Sequence, residues 1–152
     1  MAFNGGKTGF QGGRPYGQPF QPSLPEGYLK GGYFEPAAEG ERPALRKEYI
    51  VGYPEKIAKA LEDREKNKSA QLRRFYDYCI RIRDMLERGQ SFRELESEFC
   101  RLAAFAKYAE SRGKVSGLFV EFIQKNVDAV QSKEEFYAFV KRFEAVIAYI
   151  KK

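Results

Sequence analysis

The chain has 152 residues, a formal net charge of +6, no histidine, no tryptophan and two cysteines. The length suits one domain of ordinary size. Without histidine there is no His-based triad, His general base or His metal site, and Cys79 and Cys100 alone cannot complete a four-thiolate zinc site. No run approaches the ~20 apolar residues that span a bilayer, and MAFNGGKTGF lacks the basic and apolar regions of a secretory signal. These features read as a soluble, cytoplasmic protein with two buried, reduced thiols.

The chain divides by composition. All seven prolines lie at or before Pro54, and eleven of the fourteen glycines precede it. Residues 1–53 are therefore expected to be an irregular or disordered tail, and residues 54–152 a helical-bundle domain. The tail carries Phe3, Phe10, Tyr16, Phe20, Tyr28, Tyr33, Phe34, Tyr49 and Tyr53 among Gly, Pro and Gln. Such a segment is either a plain flexible tail or one that orders against a neighbouring subunit or RNA. With no helical periodicity before Tyr49, it is expected to be dispensable for folding. EYIVGY at 48–53 has some extended character, and GGKTGF lacks the spacing of a phosphate-binding loop.

From Pro54 onward the pattern is helical. Pro54 suits a first helical position, and Ile57, Ala58 and Leu61 mark a short leading helix. Ser69 is a candidate N-cap for the next helix, whose stripe is Leu72, Phe75, Cys79, Ile82 and Leu86 at steps of three and four. Gly89 is placed to end it in a left-handed conformation. Ser91 and Glu94 have capping-box spacing ahead of Leu95, Phe99, Leu102, Ala103 and Ala106, and Gly113 stops that run. Ser116 or Gly117 opens a further run with Leu118, Phe119, Phe122, Ile123, Val127 and Val130. Ser132 and Glu135 repeat the capping-box spacing before Phe136, Phe139, Val140, Phe143, Val146, Ile147 and Ile150. The expected fold is all-α, a compact bundle of four core helices plus the short leading helix, with short connections that favour antiparallel neighbours.

Chemistry is thinly represented. Glu94 and Glu135 are better used as caps than as acid/base groups, and Asp77 and Asp84 lie among arginines as surface pairs. No catalytic residue, metal site or cofactor site is expected. The first core helix instead carries Arg73, Arg74, Arg81, Arg83 and Arg88. Arg74, Arg81 and Arg88 are seven apart and drift only ~20° per step. That stripe is either a solvated face paired with Asp77, Asp84 and Glu87 or a phosphate-binding face, for which the planar guanidinium is suited. Lys107, Arg112 and Lys114 complement a helix C-terminus, and they approach Arg73 and Arg74 if the two helices run antiparallel. Tyr76, Tyr78, Tyr108, Tyr137 and Tyr149 are expected as boundary residues with hydroxyls in water; the alternative is a base-stacking platform, which here has no sheet to sit on.

The segments LRRFYDYCIRIRD, FRELESEFCRLAAFAKYAESRGKVSGLFVEFIQ and KEEFYAFVKRFEAVIAYIKK follow in this order. Over about residues 66–152, the chain resembles the small subunit of type III-A (Csm-type) CRISPR effector complexes. The resemblance implies a helical bundle without catalytic activity or cofactor. Several copies would stack as a minor filament along the backbone subunits that hold the guide RNA, near the large subunit. Basic residues on that filament would contact target RNA through phosphates, in antiviral defence. Carried onto this sequence, the RNA-facing residues are Arg73, Arg74, Arg81, Lys107 and Arg112. Two other classes fit the residues as well: a helical protein-interaction adaptor, and a nucleic-acid-binding accessory protein outside CRISPR.

Overall fold

The structure, a computed structural model, describes residues 22–35, 44–49 and 52–150. Phe3, Phe10, Tyr16 and Phe20 of the aromatic tail and the GGKTGF stretch lie outside the described residues. Among the described residues five α-helices follow in order: α1 (Tyr53–Leu61), α2 (Ser69–Glu87), α3 (Phe92–Ser111), α4 (Gly117–Ala129) and α5 (Lys133–Tyr149). They form an all-α bundle in which α5 packs on α1 and α2, and α3 packs on α2 and α4. No helix among the described residues is long and apolar enough to cross a membrane.

Local chemistry explains most helix ends. Ser91 and Glu94 form the full reciprocal box. Glu94 N–H donates to Ser91 Oγ at 3.2 Å, and Ser91 N–H donates to Glu94 Oε1 at 2.8 Å. Ser116 caps α4 by accepting from Phe119 N–H. Gly89 and Gly113 take the positive φ values, +111° and +74°, expected of helix stops. Two ends differ from expectation. Ser69 is the first helical residue rather than the cap, and Lys68 holds the N-cap position without a side-chain bond. At α5, Ser132 accepts from Glu135 N–H, but Glu135 Oε1 reaches Gln131 N–H instead of returning to Ser132. A carboxylate at N3 satisfies whichever orphan donor the incoming chain presents, and here that donor lies one residue earlier.

The apolar stripes meet as their spacing requires. Leu72, Phe75, Cys79, Ile82 and Leu86 of α2 are all buried, as are Phe99 and Leu102 of α3, Phe119, Phe122 and Ile123 of α4, and Phe136, Phe139 and Phe143 of α5. Phe99, Phe122, Phe136, Phe139 and Phe143 contact one another at centroid distances of 5.2–6.3 Å, within the favourable range for tilted and edge-on ring pairs. Ala103 and Leu118 sit at the margin of the core. Cys79 is buried, and burial raises its thiol pKa well above the usual range. Cys100 is exposed, contrary to the expectation of two buried thiols, because its α3 position lies one step off the Leu95–Phe99–Leu102 stripe. Both thiols are free.

The described residues ahead of α1 contain no helix beyond a 3-10 turn at Lys47–Tyr49 and no ladder beyond a single antiparallel bridge between Phe34 and Leu45. They nevertheless supply core. Tyr28, Tyr33 and Tyr49 are buried against α4 and α5, so the core reaches into the segment expected to be dispensable for folding. Turns with positive φ at Gly27, Leu29, Gly31 and Gly32 fold this segment onto the bundle. At Gly31 the φ of +90° and the Arg46 guanidinium, 3.1 Å from where a Cβ would stand, both favour glycine.

The three tyrosines surround Arg142, which is fully buried in α5. Its guanidinium carbon lies 4.7 Å from the Tyr28 ring centre, 5.3 Å from those of Tyr49 and Phe122, and 5.8 Å from that of Tyr33. No carboxylate of the described residues pairs with it. Arg142 Nη2 donates to Asn126 Oδ1, while Nε and Nη1 have no hydrogen-bond partner among the described residues. The negative ring faces take the place of a counter-ion. Asn126 completes the hub. Its Oδ1 also accepts from the Tyr33 hydroxyl at 2.6 Å, and its Nδ2 donates to Tyr28 Oη and to the Phe122 carbonyl.

Burial raises the hydroxyl pKa of Tyr28 and Tyr33 well above the ordinary tyrosine value, and the nearby Arg142 only partly offsets this. Unfolded tyrosines ionise near pH ~10. A pKa raised by folding contributes stability that is fully present below the unfolded value and is lost as pH rises toward the folded one. Alkaline unfolding is therefore expected to begin near pH ~10, with phenolate absorbance and loss of helical circular dichroism rising together. Tyr28→Phe should flatten that dependence. Phenolate absorbance that climbs fully while the helix signal stays intact would contradict the burial.

Candidate nucleic-acid interface

Two helix faces meet in one groove. On α2, Gln71, Arg74, Tyr78 and Arg81 recur at steps of three and four and so share a face. On α3, Phe105 and Tyr108 do the same, and Arg112 at the C-cap continues that face. The helices run antiparallel. The N-terminal half of α2 lies opposite the C-terminal half of α3, and the Tyr78 hydroxyl donates to the Glu98 carbonyl at 2.8 Å. The groove between them encloses about 490 Å³. Arg74, Arg81, Arg112 and Lys114 line it, and so do Phe75, Tyr78, Phe105 and Tyr108. Among the described residues no carboxylate lines it.

The antiparallel arrangement thus brings together three of the five residues named from sequence, Arg74, Arg81 and Arg112. It separates the other two. Arg73, one residue from Arg74, is turned by the ~100° that a single helical step imposes. It is exposed and does not line the groove. Burial and Glu144 raise the Tyr76 pKa, while Arg83 and Arg73 lower it. Lys107 stands outside the groove, 3.6 Å from Glu110 in an exposed i,i+3 pair, worth no more than ~1 kcal/mol. Arg74, Arg81 and Lys114 have no ion pair among the described residues.

Lys114 is positioned by Asn67, a buried residue with φ +58°. Its N–H donates to the Lys114 carbonyl, its Nδ2 to Ser116 Oγ and the Leu61 carbonyl, and its Oδ1 accepts from Ser116 N–H. Asn tolerates the left-handed region better than other side chains. One residue thereby fixes the α3–α4 turn that carries Lys114.

The groove's lining is partly aromatic, and Phe105 was not among the residues singled out from sequence. Tyr108 was expected at a core boundary, yet its side chain is 63% exposed on the groove, and Phe105 is 37% exposed beside it. Arg112 Nη1 donates to the Tyr108 hydroxyl at 3.1 Å and its guanidinium lies 5.7 Å from the ring centre. Arg81 stands 5.4 Å from the Tyr78 ring centre. The signal was present in the sequence as a second stripe along α3 and its C-cap, in which Arg101 and Arg112 flank Phe105 and Tyr108 at steps of three and four beside the apolar stripe. Tyr78 is held to Glu98, and burial followed by Glu98 raises its pKa.

The carboxylates weighed as acid/base groups are occupied elsewhere. Glu94 and Glu135 accept backbone bonds at helix starts. Among the described residues, no group of three or more Cys, Asp or Glu is placed to hold a metal ion. What the groove offers chemically is a cationic rim on an apolar, ring-lined floor.

Residues 44–152 match the family model described as Csm2 Type III-A. No curated protein and no solved structure matches the chain.

Proposed function

The chain belongs to the Csm2 type III-A family and is a small subunit of a type III-A CRISPR complex, and we propose that it serves that complex without catalysis, by contacting target RNA phosphates along the α2–α3 groove. The observation that carries this reading is the convergence of Arg74, Arg81, Arg112 and Lys114 on one groove without a carboxylate in its lining. Guanidinium groups free of internal ion pairs keep their donors for phosphate oxygens. Such contacts hold the strand in register without reading its sequence, so specificity falls to pairing with the guide RNA. One copy offers few contacts. Copies stacked in a minor filament beside the backbone and large subunits multiply them through effective concentration. The setting is the cytoplasm, in antiviral defence.

The test uses the reconstituted complex. Arg74→Glu combined with Arg112→Glu removes no buried apolar surface, so the bundle should fold and assemble. Each lost phosphate contact should reduce the salt slope of target-RNA affinity by roughly 0.7–0.9. Arg73→Glu combined with Lys107→Glu, the two sequence candidates outside the groove, changes charge equally and should change the slope less. Target affinity and slope unchanged in the first variant, with assembly intact, would refute the proposal. Failure of that variant to assemble would assign the groove to a subunit interface.

A further inference from the structure

We propose that the α2–α3 groove holds an unpaired ribonucleotide, its base stacked on Tyr108 and Phe105 and its phosphates on the surrounding cations. This rests on the RNA-contacting reading above and extends it from the backbone of the strand to the face of a base. A surface that binds only phosphate needs cations and no more. This groove spends exposed aromatic area as well. Among the described residues only three large hydrophobic or aromatic side chains are exposed, and two of them, Phe105 and Tyr108, stand here side by side on α3.

Both rings have partners within the chain. Tyr108 accepts a hydrogen bond from Arg112 at 3.1 Å. Phe105 packs edge-on to Tyr78 at 5.3 Å and 85°, with the Arg101 guanidinium 5.2 Å from its centre. Partners of this kind reduce the side-chain entropy that binding costs. The volume, about 490 Å³, lies within the roughly 300–1,000 Å³ of small-molecule sites. The ligand that matches a flat apolar floor ringed by Arg74, Arg81, Arg112 and Lys114 is a planar group carrying negative charge on a short tether, which describes a nucleotide. Stacking on such rings is tolerant of base identity, since every base has a π-face.

The experiment titrates the full-length chain with a single-stranded RNA of about eight nucleotides that carries one central 2-aminopurine. Binding should quench the 2-aminopurine fluorescence. Tyr108→Leu keeps an apolar side chain at an exposed position and should leave helical circular dichroism unchanged. It should weaken affinity by about fivefold to a hundredfold, the range for losing one base–ring stack, and abolish the quenching. Phe105→Leu serves as an independent second variant, and an abasic residue at the probe position should cost wild type a similar factor. If Tyr108→Leu and the abasic probe leave affinity unchanged while the salt slope persists, the groove contacts phosphate alone. The inference then falls and the RNA reading stands. If neither the chain nor the assembled complex binds RNA, both fall. If an acidic, phenylalanine-containing peptide binds more tightly than RNA with the same dependence on Tyr108, the groove serves a protein partner and the inference is overturned.

Discussion

Arg142→Ala is expected to destabilise the bundle by about 3–5 kcal/mol, through a cavity bounded by four aromatic rings and the loss of desolvated cation–π contacts. Arg142 is fully buried and holds Asn126 Oδ1, with Tyr28, Tyr33, Tyr49 and Phe122 around its guanidinium. The opposing term is the desolvation of a charge with two donor nitrogens lacking hydrogen-bond partners. Arg142→Met separates the two effects. Methionine refills much of the space and removes the buried charge, and Asn126 Oδ1 still accepts from Tyr33. Its cost should therefore be clearly smaller than that of alanine. Urea unfolding of the three proteins measures the differences. Equal stability of wild type and Arg142→Ala would mean that the arginine is not enclosed in solution.

Deleting residues 1–49 is expected to lower the thermal midpoint by on the order of 10 °C, at roughly 2–4 °C per kcal/mol for a chain of this size. The deletion removes Tyr28, Tyr33 and Tyr49 from the core. It exposes Phe122 and leaves Arg142 and Asn126 without their ring and hydroxyl neighbours. Each lost aromatic would cost about 3–5 kcal/mol if the site stayed closed. The net loss is smaller, because the deleted segment no longer has to be ordered and water reaches the site. A midpoint within a few degrees of wild type, as the composition of the tail suggests, would show that these tyrosines add nothing net. The two predictions are coupled, since Arg142→Ala in the shortened chain should cost much less than in the full one.

Composition and periodicity by themselves determined the class of fold, the five helices and the identity of the core stripes. Those depend on neighbours three and four residues apart, and the relevant physics is local. Ser91, Ser116, Gly89 and Gly113 could be read as helix ends for the same reason. The family could also be anticipated from the order of the α2–α5 segments, and the match over residues 44–152 bears it out. Arg142 left a faint trace. It lies three residues after Phe139 and four before Val146, so a charged side chain occupies a core position of α5. Its solution came from elsewhere in the chain: the Tyr33 and Tyr28 bonds to Asn126 join residues 93 and 98 apart. A composition rich in Gly and Pro excludes helix, yet it does not exclude burial, and only tertiary packing decided that three tail tyrosines belong to the core. The same holds for the arginines. Their number on α2 was plain in the sequence, but helix rotation leaves Arg73 outside the groove and puts Arg74 in its lining, and only the position of α3 decides which arginines meet Tyr108 and Arg112.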